Sequence, residues 1–257
     1  FDIHECFHQF VISYFSHRQR SIRECIAKKG YARIALSTGA SQFDTIKHLV
    51  LQDVDWSKVE MFHLDEYVGL PYSHPASFRK YLWERFIAKL PVPPAAFFPV
   101  NGTAADLPAA LAELEKNITE NPIDVAFVGI GENGHLAFNE PFSSLVSRTR
   151  VKSLTYDTIV VNSRFFDGDI SKVPTTALTV GVGTVMDAKE VLVLAFGHKK
   201  ANALKAAVEG AYSQACTLSA LQAHPHGIIV ADELAVGELK VNTYRYFKDI
   251  EKDNLTK

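Results

Sequence analysis

The sequence is poor in the residues that staple or metallate small proteins. Its 257 residues include only three cysteines, Cys6, Cys25 and Cys216, and no CxxC pair, which excludes zinc-ribbon and dithiol redox motifs. So sparse and odd a count fits a reducing compartment, and a cytoplasmic location is expected. Nowhere do about 18 apolar residues run together, so no membrane span is expected. The balance of 27 Lys+Arg against 29 Asp+Glu leaves a formal charge of −2. General nucleic-acid binders carry a basic excess, so no nucleic-acid partner is expected. Any positive potential must be local and aimed at a small anion. The opening FDIHECFHQF mixes acidic and His residues with apolar ones, unlike a signal peptide. The sequence starts at Phe1 without an initiator methionine, and a short preceding stretch is expected.

What the chain does have is a core. Hydrophobic residues make up 47%, enough to fold without staples. Short apolar runs alternate with longer amphipathic ones. The runs at Ala32–Leu36, Val59–Leu64, Val125–Ile130, Val191–Phe196 and Ile228–Val230 read as buried parallel strands. Helical patterns lie at Ile3–Lys28, Phe43–Leu51, Ser77–Ala88, Ala104–Thr119, Lys199–Glu209 and Val241–Lys252. This alternation predicts an α/β fold: a doubly wound, mostly parallel sheet with helices on both faces, Rossmann-like in architecture. With no linker, repeat or low-complexity tract in sight, residues 1–257 are expected to form one α/β domain. The aperiodic stretch 139–169 is expected to be a lid or an interface excursion.

In open α/β sheets ligands sit at the carboxyl ends of strands, near the point where strand order reverses. After the first strand comes Ser37-Thr38-Gly39-Ala40-Ser41. Small residues, hydroxyls and a helix N-terminus suit a phosphate there, although a tight turn capped by Ser41 would look the same. After the second come Asp65 and Glu66, adjacent acids whose burial is costly without partners or a task. A half-buried carboxylate can serve as a general base. After the third comes Gly131-Glu132-Asn133-Gly134-His135, then Leu136-Ala137-Phe138-Asn139-Glu140. His135 is suited to proton transfer near neutral pH, and Glu140 could orient its ring. After the fourth comes Gly197-His198-Lys199-Lys200, which adds cationic charge at a helix start. His63, Asp65, His74, His135 and Glu140 could include metal ligands, but no HxH or HExxH spacing occurs, and no metal is expected.

Taken together, LSTGAS, LDEYVGL, GIGENGHLAFNEP, SSLVSRTRVKSLT, NSRFF, VPTTALTVGVGTVMDA, KKANALKAAVEG and ELKVNTYRYF resemble the glucosamine-6-phosphate deaminase family. These segments keep the family's order from Leu36 to Phe247. The 6-phosphogluconolactonases share the fold but do not normally combine DEYVGL with FNEP. The resemblance implies deamination of glucosamine 6-phosphate to fructose 6-phosphate and ammonia, without metal, nicotinamide or pyridoxal. It implies that Asp65 is the base at C2, that His135 assists ring opening, and that Glu140 tunes His135, with Asn133 beside them. Thr38, Gly39, Ala40 and Ser41 would line the phosphate loop, with Arg164 and Lys200 as cationic partners. SSLVSRTRVK is closest to the allosteric hexameric branch, activated by N-acetylglucosamine 6-phosphate. Its effector positions correspond to Ser143, Arg150, Lys152 and Tyr246.

The sequence departs from that pattern at three points. Asn133 stands where the allosteric branch has Asp. The phosphate loop, usually TGGTP or TGSTP, reads Thr38-Gly39-Ala40-Ser41-Gln42. The family's usual first strand is absent. Two other functions are weighed against deamination. A lactonase or isomerase on this fold would turn over a sugar phosphate without releasing ammonia. A sugar-phosphate-sensing domain would bind without turnover, and would not need Asp65, His135 and Glu140.

Overall fold

The computed structural model describes residues 21–39 and 42–251. The greater part of the expected opening helix, Ile3–Lys28, therefore lies outside the described residues, as do Cys6, Ala40 and Ser41. Residues 21–29 are helical and end at Gly30, which has a left-handed φ of 87°.

Six parallel strands form the main sheet: β1 (Ala32–Leu36), β2 (Val59–His63), β4 (Ala96–Phe98), β5 (Val125–Gly129), β8 (Glu190–Ala195) and β9 (Gly227–Ala231). Their order is β4-β2-β1-β5-β8-β9. The chain runs outward from β1 to one edge, returns to β5 beside β1, and runs outward to the other edge. Strand order therefore reverses between β1 and β5, which opens a crevice at their carboxyl ends.

Side-chain alternation along the strands builds a core on each face. Ile34, Leu36, Met61 and Phe127 pack with Ile46 and Leu49 of α1 (Phe43–Val50) and Leu82 of α2 (Phe78–Arg85). Ala35, Phe62, Ala126 and Val128 face the other way. They meet Leu111, Leu114 and Ile118 of α3 (Leu107–Glu120), together with Ala203, Leu204 and Ala207 of α6 (Ala201–Glu209). Each large apolar side chain so buried contributes roughly 1.5–3 kcal/mol. The helices cover both faces, as the alternation predicted.

The sequence did not disclose a second sheet. β3 (Asp65–Tyr67), β7 (Thr176–Thr179) and β6 (Arg150–Ser153) pair antiparallel in the order β3-β7-β6. Asp65 pairs with Thr179, and the Val180 amide donates to the Leu64 carbonyl at 2.8 Å. The chain bends at Leu64 from the main sheet into this one. Stretch 139–169 is thus partly regular: it holds β6 and α4 (Tyr156–Asn162). Two further helices, α5 (Val182–Met186) and α7 (Val241–Ile250), complete the described chain.

An aromatic cluster ties the small sheet to the rest. The Tyr67 ring lies 5.2 Å from Phe78, 5.3 Å from Phe138 and 5.7 Å from Phe166. These four rings come from β3, the start of α2, the segment after β5, and the 139–169 stretch. One buried contact set therefore fixes their mutual positions.

Candidate active site at the β1–β5 crevice

The sheet order brings the ends of β2, β1, β5 and β8 side by side, so the four segments singled out in the sequence share one edge. The adjacent acids behave very differently. Glu66 is fully buried and saturated with donors. Its carboxylate accepts from the amides of Tyr67 (3.0 Å), Phe78 (3.3 Å) and Arg79 (3.0 Å), from Ser77 Oγ (2.9 Å) and from Arg79 Nε (3.3 Å). It is a structural anchor for the N-terminus of α2. Asp65 is 6% exposed, and its Oδ1 makes no hydrogen bond to any described residue. Burial, with the Glu66 charge beside it, pushes its carboxyl up to about 8.

The segment after β5 folds back on itself. Gly131 donates to the His135 carbonyl at 2.9 Å. A Cβ on Gly131 would lie 2.4 Å from the His135 ring, so only glycine leaves the imidazole its place. His135 Nδ1 stands 3.5 Å from Glu140 Oε2, an ion-pair distance without good hydrogen-bond alignment. Burial alone would raise the Glu140 carboxyl. His135, Thr158 and Asn133 outweigh it and hold the group down to about 2. Asn133 Nδ2 donates to Glu140 Oε2 at 3.0 Å, and its Oδ1 accepts from the His135 amide at 3.2 Å. Asn133 therefore bridges the pair without adding a charge of its own.

The Phe138 amide donates to Thr179 Oγ1 at 3.2 Å, and Thr179 is the register partner of Asp65. The ring contact of Tyr67 with Phe138 reinforces the link. Asp65 and the His135 segment thus border one region rather than two.

The cationic residues converge as well. Lys200 is lowered first by burial and also by the positive charges of Arg164 and Lys199, with Glu132 opposing. Arg164 acts on Tyr67 too, beside Asp65. Arg164 therefore stands within electrostatic reach of both Lys200 and Tyr67, although it and Lys200 are 36 residues apart (200 − 164). Lys200 lies in a short 3₁₀ turn, His198–Lys200, that precedes α6. The Gly197 amide secures the start of that turn by donating to the Asp232 carboxylate at 3.0 Å. In the first segment Gly39 adopts φ 125°, and its carbonyl accepts from Tyr81 Oη at 3.3 Å. Ser37 Oγ and the Gln42 side chain are buried without hydrogen bonds to described residues.

The four positions expected to read an effector divide. Ser143 is buried, and its amide donates to the Glu140 carbonyl at 3.0 Å. Arg150 Nη1 donates to Asn139 Oδ1 at 2.9 Å, and Lys152 follows on the same face of β6. Tyr246 is exposed on α7, and its described contact is with the Phe247 ring. The residues weighed as metal ligands do not gather at one point, and both ring nitrogens of His63 lack a hydrogen bond to any described residue. His63 is fully buried and driven down to about 3 by burial and Arg79. His74 accepts from the Ala76 amide at 3.0 Å and packs on Phe166. Among the described residues no metal-binding cluster of His, Cys, Asp and Glu forms.

Sequence reasoning did not find Thr179, Thr217 or Thr155, whose amide donates to Glu140 at 3.3 Å. A threonine carries no motif, and each of these reaches the site only through tertiary packing.

The Asp65 shift has a definite sign. Its carboxyl rises from 3.8 to about 8 on folding. Between those values the folded chain keeps a proton that the unfolded chain has lost, so this group's contribution to stability falls as pH rises across that window. Thermal melts should therefore show Asp65→Asn gaining on the parent from pH 4 to pH 8, with no further gain above. A difference independent of pH would refute the shift.

The chain is similar in sequence and fold to known proteins. The family profile of glucosamine-6-phosphate isomerases and 6-phosphogluconolactonase matches residues 8–229. The glucosamine-6-phosphate deaminase of Phocaeicola vulgatus is 54% identical over 223 residues, 85% of each chain. Among solved structures, a monomeric glucosamine-6-phosphate deaminase superposes with a TM-score of 0.81 at 32% identity, covering 88% of this chain and 95% of that one. The 6-phosphogluconolactonase of Thermotoga maritima, at 15% identity and a TM-score of 0.69 over 88% and 94% of the two chains, shares the fold. By sequence and by fold, the chain belongs to the glucosamine-6-phosphate isomerase/6-phosphogluconolactonase family.

Proposed function

We propose that this protein is a glucosamine-6-phosphate deaminase, and that Asp65, His135 and Glu140 carry its chemistry. The observation behind this reading is the pair of opposed carboxylates: Asp65 is buried, unpaired and raised to about 8, whereas Glu140 is held at about 2 beside an imidazole. Two acids pushed apart at one site assign themselves different tasks.

The steps follow from the chemistry of the sugar. The ring hides the carbonyl, so His135 takes the proton of the anomeric hydroxyl and passes one to the ring oxygen, giving the open aldehyde. The aldehyde acidifies the C2 proton, which Asp65 removes to leave an enolamine. Returning that proton to C1 gives a ketimine, and water releases ammonia and fructose 6-phosphate. Each positioned acid or base contributes about 10² to 10⁴ in rate. Arg164, Lys200 and the segment Thr38-Gly39-Ala40-Ser41 hold the phosphate, using remote binding energy to orient the far end. An amino sugar suits this base. A 2-ammonium group beside Asp65 would favour its carboxylate form, which burial and Glu66 disfavour in the ligand-free chain. A sugar phosphate without an amino group, lactone or aldose, offers no such help.

We further propose a cytoplasmic enzyme of N-acetylglucosamine catabolism, built as a single α/β domain over 1–257 with 139–169 as its lid. It assembles as a hexamer and responds to N-acetylglucosamine 6-phosphate. Three observations support the assembly and effector reading. The segment SSLVSRTRVK is retained, Arg150 and Ser143 both contact the stretch around Glu140, and an apolar patch is exposed. In that patch Val146, 75% exposed, and Tyr212, 53% exposed, line a groove of about 470 Å³, and Phe142, 73% exposed, is tied to it by its amide donating to the Gln214 carbonyl at 2.6 Å. Exposed apolar groups gathered in this way favour an interface.

Incubation with glucosamine 6-phosphate should release ammonia and fructose 6-phosphate in equal amounts. Asp65→Asn should abolish exchange of the C2 hydrogen with solvent tritium. Binding without ammonia release, or undiminished exchange in Asp65→Asn, would overturn the reading. Light scattering should give six copies per particle, and N-acetylglucosamine 6-phosphate should lower the KM of the parent but not of Arg150→Ala. A monomer with effector-independent kinetics would remove the assembly and effector proposals and leave deamination standing.

A further inference from the structure

We infer that Thr217 is the positioning residue that sets the spacing of His135 and Glu140, an inference that rests on the deaminase reading of the site. Its hydroxyl is fully buried and used twice. It accepts from the Leu136 amide at 3.1 Å and donates to the Asn139 carbonyl at 2.8 Å. Leu136 follows His135 directly, and Asn139 directly precedes Glu140. One side chain therefore clamps the backbone at both inner flanks of the pair, across a turn that places the imidazole 3.5 Å from the carboxylate.

The turn needs a clamp. Ala137, at its centre, has φ 50°, a left-handed conformation that an L-residue with a Cβ adopts at a cost. Strain of this kind persists only where the surroundings over-determine it. Asn139 Nδ2 contributes from within by donating to the Leu136 carbonyl at 2.9 Å and the Val180 carbonyl at 2.8 Å. Thr217 contributes from outside, and its neighbours key the same loop. The Leu218 amide donates to the Gly134 carbonyl at 3.2 Å. Cys216 Sγ lies 3.6 Å from that carbonyl, and a Cβ on Gly134 would meet this sulfur at 2.7 Å. Three successive residues thus hold the loop at Gly134, Leu136 and Asn139. The Thr217 hydroxyl spans the turn from outside, parallel to the bond that the Asn139 amide makes to the Leu136 carbonyl at 2.9 Å within it.

A misplacement of about 1 Å can cost on the order of 10²-fold in rate, while leaving groups that bind the far end of a substrate undisturbed. The inference is tested by steady-state ammonia release from the parent, Thr217→Val and Thr217→Ser. Thr217→Val keeps the shape and removes both bonds, so its kcat should fall about tenfold or more while KM changes less than about twofold. Thr217→Ser keeps the hydroxyl and should restore kcat to within about threefold of the parent. Equal kcat in Val and Ser variants, or a loss confined to KM, would overturn the inference. Should Thr217→Val fail to fold, hydrogen exchange in the parent decides. The Leu136 amide should exchange as slowly as the amides of β5, and exchange as fast as an unbonded loop amide would show that no clamp exists. A parent that releases no ammonia defeats the deaminase reading, and Leu136 protection then judges the clamp by itself.

Discussion

Two neighbouring carboxylates are buried at one end of the sheet, and only one of them is satisfied. Glu66 collects five donors and anchors α2, while Asp65 keeps an oxygen with no described partner. Burying a carboxylate without partners is expensive, and the group responds by holding its proton. The fold offsets this cost elsewhere, through two apolar cores and an aromatic cluster that ties β3 to the loop after β5. The placement of the crevice, the nearness of the cationic pair and the strained turn beside His135 all acquire chemical sense from that one unsatisfied oxygen.

The opposite wall works on the reverse principle. Glu140 is no more exposed than Asp65, yet an imidazole, an asparagine and a threonine hold it ionised. Asn133 gives this wall polarity without charge, where the allosteric branch of the family is expected to carry an aspartate. With a neutral asparagine at 133, Glu140 is the carboxylate paired with His135 among the described residues. The wall is held by hydrogen bonds to threonines on β7 and on the segment after α6 as well as by bonds within the loop itself.

Much of this was legible in the sequence because the responsible signals are local. Buried parallel strands are short apolar runs, and each crossover helix carries its own period, so the doubly wound sheet could be read from Ala32 onward. Residues that follow strand ends stand out in such a pattern, which singled out Asp65, His135 and Lys200 as candidates, and the sheet order puts those strand ends side by side. The small antiparallel sheet was not legible: β3 reads Asp-Glu-Tyr, and nothing in that triplet signals a strand until β7 pairs with it. Nor could the different fates of Asp65 and Glu66 be told apart, since they depend on donors supplied by residues 77–79. Thr217 lies 81 residues from Leu136, and a threonine acquires a role at that distance only through packing.

The central claim is that Asp65 is a proton-holding carboxyl poised to become a base when an amino sugar arrives. Carbon-13 NMR titration of the Asp65 side-chain carboxyl, assigned by its disappearance in Asp65→Asn, tests this most directly. The account predicts a midpoint near 8 in the ligand-free protein, and a downward shift on binding an open-chain amino-alditol phosphate that cannot react. A ligand-free midpoint near 4, the ordinary aspartate value, would contradict it.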